Sequence, residues 1–143
     1  MQMRKYMQGV TLLELLVVVV IIGILTAIAF PNYREFVARA KRAEGKAALL
    51  KIATNQEKWY LQNQTFTANL GQLGFSGSAP FKSETGAYTL TVTPNPTYPQ
   101  GFIATATYIP DDAEKNRCTS FSIDGGGSKT NTGSYSDCWT RKN

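Results

Sequence analysis

The chain has 143 residues, room for a single domain. Its residues are 43% hydrophobic and only 17% charged, and histidine is absent. That excludes Ser-His-Asp and Cys-His catalysis, HExxH metal sites and the usual zinc ligand sets, and two cysteines cannot form a four-thiolate site. Neither a GxGxxG nor a GxxxxGK[ST] loop occurs, so no nucleotide chemistry, no metal, no cofactor and no catalytic residue is expected. The net charge of +5 is unevenly placed. Residues 34–58 hold seven basic side chains (Arg34, Arg39, Lys41, Arg42, Lys46, Lys51, Lys58) against Glu35, Glu44 and Glu57, whereas six bases meet six acids from residue 60 onward. The C-terminal part reads as neutral, and DNA is a partner that bulk charge does not support.

Residues 1–9 are short and polar, with Arg4 and Lys5. Residues 10–30 are an almost unbroken apolar run of 21 residues, VTLLELLVVVVIIGILTAIAF. As a helix it would span about 32 Å, close to the hydrocarbon thickness of a bilayer. It is longer than a signal-peptide core and ends at Phe30-Pro31 without a small-residue cleavage site, so it reads as a retained membrane segment. Beyond Pro31, a residue better tolerated as a kink beside a membrane than in water, the pattern becomes amphipathic. Tyr33, Phe36, Val37, Ala40, Ala43, Ala47, Leu50, Ala53, Tyr60 and Leu61 recur mostly at three- and four-residue steps and read as the buried face. One continuous helix from about residue 10 to 60 is expected, with Gly45 as a weak point.

Asn, Gly and Pro crowd residues 62–86 and mark an irregular connection. Strands are expected at 87–93, 102–109 and 119–124. Tyr88/Leu90/Val92, Phe102/Ala104/Ala106/Tyr108 and Phe121/Ile123 would line one face. Pro94, Pro96 and Pro99 separate the first two strands, and the tail after Gly125–Gly127 reads as irregular. The expected fold is α+β, an antiparallel meander packed on the second half of the helix. Cys118 and Cys138 flank the last strand and the tail. In an oxidising compartment they would close a loop worth about 3 kcal/mol, and in the cytosol they would be two buried thiols.

The most informative stretch is Gly9-Val10-Thr11-Leu12-Leu13-Glu14-Leu15. A carboxylate at the mouth of an apolar run is unfavourable by about 2.5–3.5 kcal/mol at a membrane helix centre and by less near its end. It reads either as a tolerated interfacial Glu or as a group whose partner is an α-amino group freed on Val10. The short basic leader ending in Gly9, then Thr11-Leu12-Leu13-Glu14, then an apolar helix with Gly23 and Pro31, resembles the type IV prepilin family. The resemblance implies cleavage between Gly9 and Val10 by prepilin peptidase and N-methylation of Val10, although the family most often has Phe or Met there. It also implies an assembly role for Glu14 and a kinked or melted helix between Gly23 and Pro31, two residues that weaken a helix, while Gly23 and Ala27 form a small-xxx-small step that lets helices approach closely. A looser resemblance, to minor pilins of the PilE kind, rests on Gln56-Glu57-Lys58-Trp59-Tyr60, on Cys118-Thr119-Ser120-Phe121-Ser122-Ile123-Asp124 and on Asp137-Cys138-Trp139. It implies a disulfide between Cys118 and Cys138 that bounds a surface D-region, while Trp59, Tyr60 and Trp139 read as packing residues.

The family implies a pilin-like organisation: leader 1–9, transmembrane half 10–30, amphipathic half 31–61, αβ-loop 62–86, sheet and D-region 87–143. The implied partners are prepilin peptidase, the membrane before assembly, the inner-membrane pilus assembly machinery and other pilin subunits in a homo- or hetero-polymeric fibre serving motility, adhesion or DNA uptake. Two alternatives remain: a pseudopilin of a type II secretion system and a membrane-anchored binding module that never polymerises. Asp111, Asp112 and Asp124 do not form the calcium loop a pseudopilin of this size would carry. Two cations precede the apolar run and five follow it within sixteen residues, which by the positive-inside rule would place the C-terminal part in the cytoplasm. The cysteine pair and the leader argue for the periplasmic side, since long domains translocate largely regardless of charge.

Overall fold

The computed structural model describes residues 9–95 and 101–140, so most of the expected leader, Pro96 and Pro99 lie outside the described residues. It divides into two compact units that meet between Val37 and Ala38. The first helix, α1, runs from Leu12 to Asn63 and is unbroken by Gly23, Pro31 or Gly45. Its start is capped by Thr11, whose hydroxyl accepts the Glu14 N–H at 3.2 Å. In the first unit the apolar side chains are exposed, and no residue of the most apolar 18-residue window is buried. Among the described residues α1 alone is long and apolar enough to cross a membrane.

In the second unit α1 buries Ala38, Arg42, Gly45, Leu49, Ile52 and Gln56, a four-three-four-three-four repeat. The expected buried face was one step away. Tyr33, Phe36, Ala40, Ala43, Ala47, Leu50 and Leu61 are exposed, and only Val37, Ala53 and Tyr60 are partly covered. The inversion has a physical cause, since two polar residues of the true core face find partners inside. Arg42 meets Glu114, and Gln56 clamps Thr67 by donating to its carbonyl at 2.5 Å and accepting its N–H at 3.1 Å. A glycine completes the disguise. The Tyr88 ring lies where a Cβ on Gly45 would meet it at 3.0 Å, so Gly45 is a close-approach point rather than a flaw in the helix.

The sheet is an antiparallel meander of four strands, β1 (Tyr88–Pro94), β2 (Phe102–Tyr108), β3 (Ser120–Asp124) and β4 (Lys129–Thr132), in the order β1-β2-β3-β4. The first three follow the expected strands to within a residue or two. β4 corrects the expected irregular tail, because Thr130 and Thr132 pair with Ser122 and Ser120. A five-residue helix, α2 (Ala113–Arg117), also interrupts the β2–β3 connection, N-capped by Asp112. The inward set Tyr88, Leu90, Val92, Phe102, Ala104, Ala106, Tyr108, Phe121 and Ile123 is buried as expected and forms one cluster with Leu49 and Ile52 of α1. Leu70 and Leu73 of the αβ-loop close it from the side, and Trp59 and Trp139 pack on it partly buried.

Candidate functional site

The N-terminal constellation is built on a change of backbone state. Gly9, Val10 and Thr11 lie outside the helix, and regular α1 begins at Leu12. Among the described residues a Cβ on Gly9 would meet nothing within 4 Å, and Val10 is 71% exposed. The Gly9–Val10 bond is therefore exposed and non-helical. Two residues on, Thr11 acts as N-cap with Glu14 at the third helical position, the T-x-x-E capping pattern. A carboxylate there also faces the positive end of the helix macrodipole. That capping signal was present in the sequence, where Glu14 had been read only through its charge.

Gly23 has open space around it, and Pro31 lies within the helix. Proline carries no N–H, so the Ala27 carbonyl loses its ordinary helical donor. On either side Thr26 donates its hydroxyl to the Ile22 carbonyl at 2.6 Å, and Asn32 its amide to the Ile28 carbonyl at 3.4 Å. Such bonds between a side chain and the preceding turn recur along α1, at Thr54 with the Leu50 carbonyl and at Asn63 with the Trp59 carbonyl.

At the other end of the chain, Cys118 and Cys138 form a disulfide with Cα atoms 6.0 Å apart, and both are fully buried. The loop it closes is filled by Asn131, which donates to the Tyr135 carbonyl and accepts the Cys138 N–H. Lys46 of α1 donates to the Trp139 carbonyl at 2.5 Å, and the Trp139 indole donates to the Thr130 carbonyl at 2.7 Å. Burial lowers the Lys46 pKa, and neighbouring Arg42 lowers it further, against the opposing pull of Asp137. Half-buried Lys46 lies over the buried Phe121 ring, while Lys129 lies over the partly exposed Trp139 and Arg117 over the partly exposed Tyr135.

α2, between β2 and β3, ties the sheet to α1. Arg42 Nε lies 3.4 Å from Glu114 Oε1, with the two side chains only 2% and 3% exposed. Beside them Lys41 donates to the Tyr108 hydroxyl at 3.0 Å, which donates to Asp112 at 2.9 Å. Burial pushes the Asp112 carboxyl up, but the Tyr108 hydroxyl, the Glu114 N–H and Lys41 together hold it below the ordinary range. The carboxylates once weighed for calcium are engaged locally: Asp111 with Lys115, Asp112 as just described, and Asp124 with the Gly126 and Ser128 N–H groups.

With this geometry in place, the comparisons with known proteins are specific. A family model described as "Type IV minor pilin ComP, DNA uptake sequence receptor" matches residues 31–122, and one described as a prokaryotic N-terminal methylation motif matches residues 4–30. The chain belongs to the type IV pilin family. Its curated relatives align through a limited stretch. The type IV major pilin PilA of Myxococcus xanthus is 41% identical over 69 residues, 48% of this chain and 31% of that protein. The type IV major pilin PilE1 of Neisseria gonorrhoeae is 38% identical over 64 residues, 40% of this chain and 39% of that protein. The fold is shared more widely. A type IV pilin from Shewanella oneidensis superposes with a TM-score of 0.50 at 18% identity, over 73% of this chain and 99% of that one. The non-core minor pilin PilV of Neisseria meningitidis gives 0.51 at 21%, over 72% and 94%. Type IV pilins are structural, non-catalytic proteins, and this pilin has an N-terminal apolar helix consistent with a membrane-anchored precursor.

Proposed function

We propose that this pilin is a minor structural subunit of a type IV pilus, cut between Gly9 and Val10, N-methylated on Val10 and drawn from the inner membrane into a helical fibre. The observation that carries the reading is the juxtaposition of an exposed, non-helical Gly9–Val10 bond with a capped helix start at Thr11 and an apolar α1 half that the chain itself leaves uncovered. An uncovered apolar helix needs lipid or neighbouring helices, and a fibre subunit uses first one and then the other. The second unit, residues 38–143, is the head, and it stays on the periplasmic side, where its disulfide forms. Intact mass of the protein from sheared surface fibres tests this. The expected species begins at Val10, carries one methyl group and has lost two hydrogens to the disulfide. A chain that retains residues 1–9 in the fibre fraction, or that never reaches it, overturns the reading. Gly9→Val should leave full-length precursor in the membrane, because a side chain there obstructs entry to the protease cleft.

A second reading, participation in DNA uptake, is favoured by the family model that matches residues 31–122. The folded unit also changes the charge count. Residues 38–143 include the second half of α1 and carry twelve basic side chains against eight acidic ones, whereas the sequence from residue 60 onward was neutral. Arg117 and Lys129, each over a partly exposed aromatic ring, are where a duplex backbone would be held. Duplex binding by the purified pilin should weaken steeply with salt, and Lys129→Ala should reduce that slope.

A further inference from the structure

The outward face of the sheet has an order that neither membrane insertion nor fibre assembly requires. Side chains on opposite partners point to the same face, so the register assigns rows directly. Thr89, Thr107, Ser120 and Thr132 form one row across all four strands, and Thr91, Thr105, Ser122 and Thr130 form a second beside it. Eight positions in two complete rows carry eight hydroxyls and not one charge. Charges appear only at the margins, with Lys82 bridged to Thr89 and Asp124 opposite Ile103 in the next row. None of the eight is buried.

β-Propensity explains threonine on a strand but not the exclusion of Lys, Glu and Arg from a solvent face, where soluble domains ordinarily scatter them. Two cross-strand hydroxyl pairs fix the lattice, Thr105 with Ser122 at 3.0 Å and Ser120 with Thr132 at 2.8 Å. Neighbours on this face repeat at about 4.8 Å across strands and about 6.7 Å along them. The Thr91 and Thr107 side chains, which are exposed, have no hydrogen-bonding partner among the described residues.

We propose that this face is a binding surface for a neutral polysaccharide. A hydroxyl is both donor and acceptor, so the array holds a matching layer of water. A ligand gains by displacing ordered water only if it reproduces that water's hydrogen bonds. Sugar hydroxyls do so, and the threonine methyl groups offer apolar contact to the C–H faces of sugar rings. An uncharged face gives no attraction to nucleic acid or to acidic polymers, and it desolvates without stripping a buried charge. Each strand pair twists by about 20–25°, so a flexible glycan chain can follow all four strands where a rigid planar solid cannot. Lys129, paired with the inward Ile123, lies on the opposite face of β4 from these hydroxyls, and their ligand does not require assembly into a fibre.

The test uses the processed full-length pilin in detergent, passed over amylose, cross-linked agarose and cross-linked dextran, with heparin as the charged reference. Retention on at least one neutral matrix is expected, competed by soluble oligosaccharide of the same kind and unaffected by added salt. Paired substitution Thr91→Val and Thr107→Val removes two outward hydroxyls while keeping β-branched side chains, and should lower retention about tenfold or more with an unchanged melting curve. Thr107→Lys should do the same by placing a charge in the row. Absence of retention on all three neutral matrices overturns the proposal. So does retention that survives both changes, or a finding that the variants alter only self-association, which would assign the face to a second copy of the chain.

Discussion

Gly45 lies fully buried where the Tyr88 ring crosses α1, and Tyr88 is itself hemmed in by Tyr108 and Phe121 at ring-centroid distances of 5.2 and 5.9 Å. Alanine would ordinarily gain about 1 kcal/mol of helix propensity at such a position. Here the added Cβ would sit 3.0 Å from a ring with no room to retreat, and overpacking of that kind costs about 1–3 kcal/mol. Gly45→Ala is therefore expected to lower the unfolding free energy, measured by chemical denaturation, and Tyr88→Leu should relieve much of the loss. Gly133 is a harder case. Its φ is +133°, and a Cβ would collide with the Arg117 carbonyl, so no side-chain movement could accommodate alanine.

Arg42 and Glu114 fix helix to sheet by the least forgiving means. Two charges that are almost wholly buried stabilise little in net terms, yet removing one leaves the other stranded at about 3–5 kcal/mol. Glu114→Ala or Arg42→Ala should each destabilise the head by that order, while Arg42→Met combined with Glu114→Leu should recover most of it. A double-mutant cycle on the urea midpoint measures the coupling, and additive single losses would show that the pair does not act as a unit.

At the scale of elements, the apolar first half of α1, three strands and their inward alternation were legible because each rests on an unbroken local period. The buried side of α1 was not. Its core face contains Arg42, Gly45 and Gln56, while Ala40, Ala43, Ala47 and Leu50 face outward, so hydrophobicity alone selects the wrong stripe. What reverses it is tertiary: Glu114 from a five-residue helix with no periodic signature, a ring that needs a glycine, and a carbonyl that needs an amide. β4 escaped for a related reason, since a Lys-Thr-Asn-Thr strand on the sheet edge gains its order from pairing with β3 rather than from its own apolar residues. At the N-terminal site the methylation motif was readable in the sequence, but the capping role of Thr11 emerged only once the helix start was known.

The α2 junction also makes the head acid-sensitive in a definable range. Asp112 has its pKa held below the ordinary value in the folded state, so the unfolded chain binds its proton first as pH falls. The stability it contributes is present above the ordinary carboxylate pKa of about 3.9 and is lost as pH falls through the lower, folded-state value. Glu44 acts in the same sense. Burial raises its pKa, but hydrogen bonds from Ser83 and Thr85 outweigh that and lower it overall. Asp112→Asn should therefore be less stable than wild type at neutral pH and show a flatter stability profile through the acid range, as followed by thermal melts at stepped pH.

For the whole molecule, the decisive residue is Glu14, because two roles meet in one carboxylate. As the third helical residue after Thr11 it belongs to a capping pattern in which glutamine serves as well as glutamate. As the only acid within residues 10–30 it is also the one fixed negative charge available to a cationic Val10 terminus on an incoming subunit. An unpaired carboxylate and an unpaired ammonium group are each costly in hydrocarbon, so their meeting would set the axial register, which apolar side chains sliding past one another leave undefined. Glutamine separates the two roles. Glu14→Gln should be cleaved after Gly9, keep its helix start and insert in the membrane like wild type, yet be recovered from sheared fibres far less efficiently. Glu14→Ala should match it in fibres, and Glu14→Asp should fall between. The assay must follow this chain's own incorporation rather than total pili, because a minor subunit can vanish from a fibre that still forms. If Glu14→Gln enters fibres as well as wild type while Glu14→Ala does not, the carboxylate acts only in starting the helix, and register must be set elsewhere along α1.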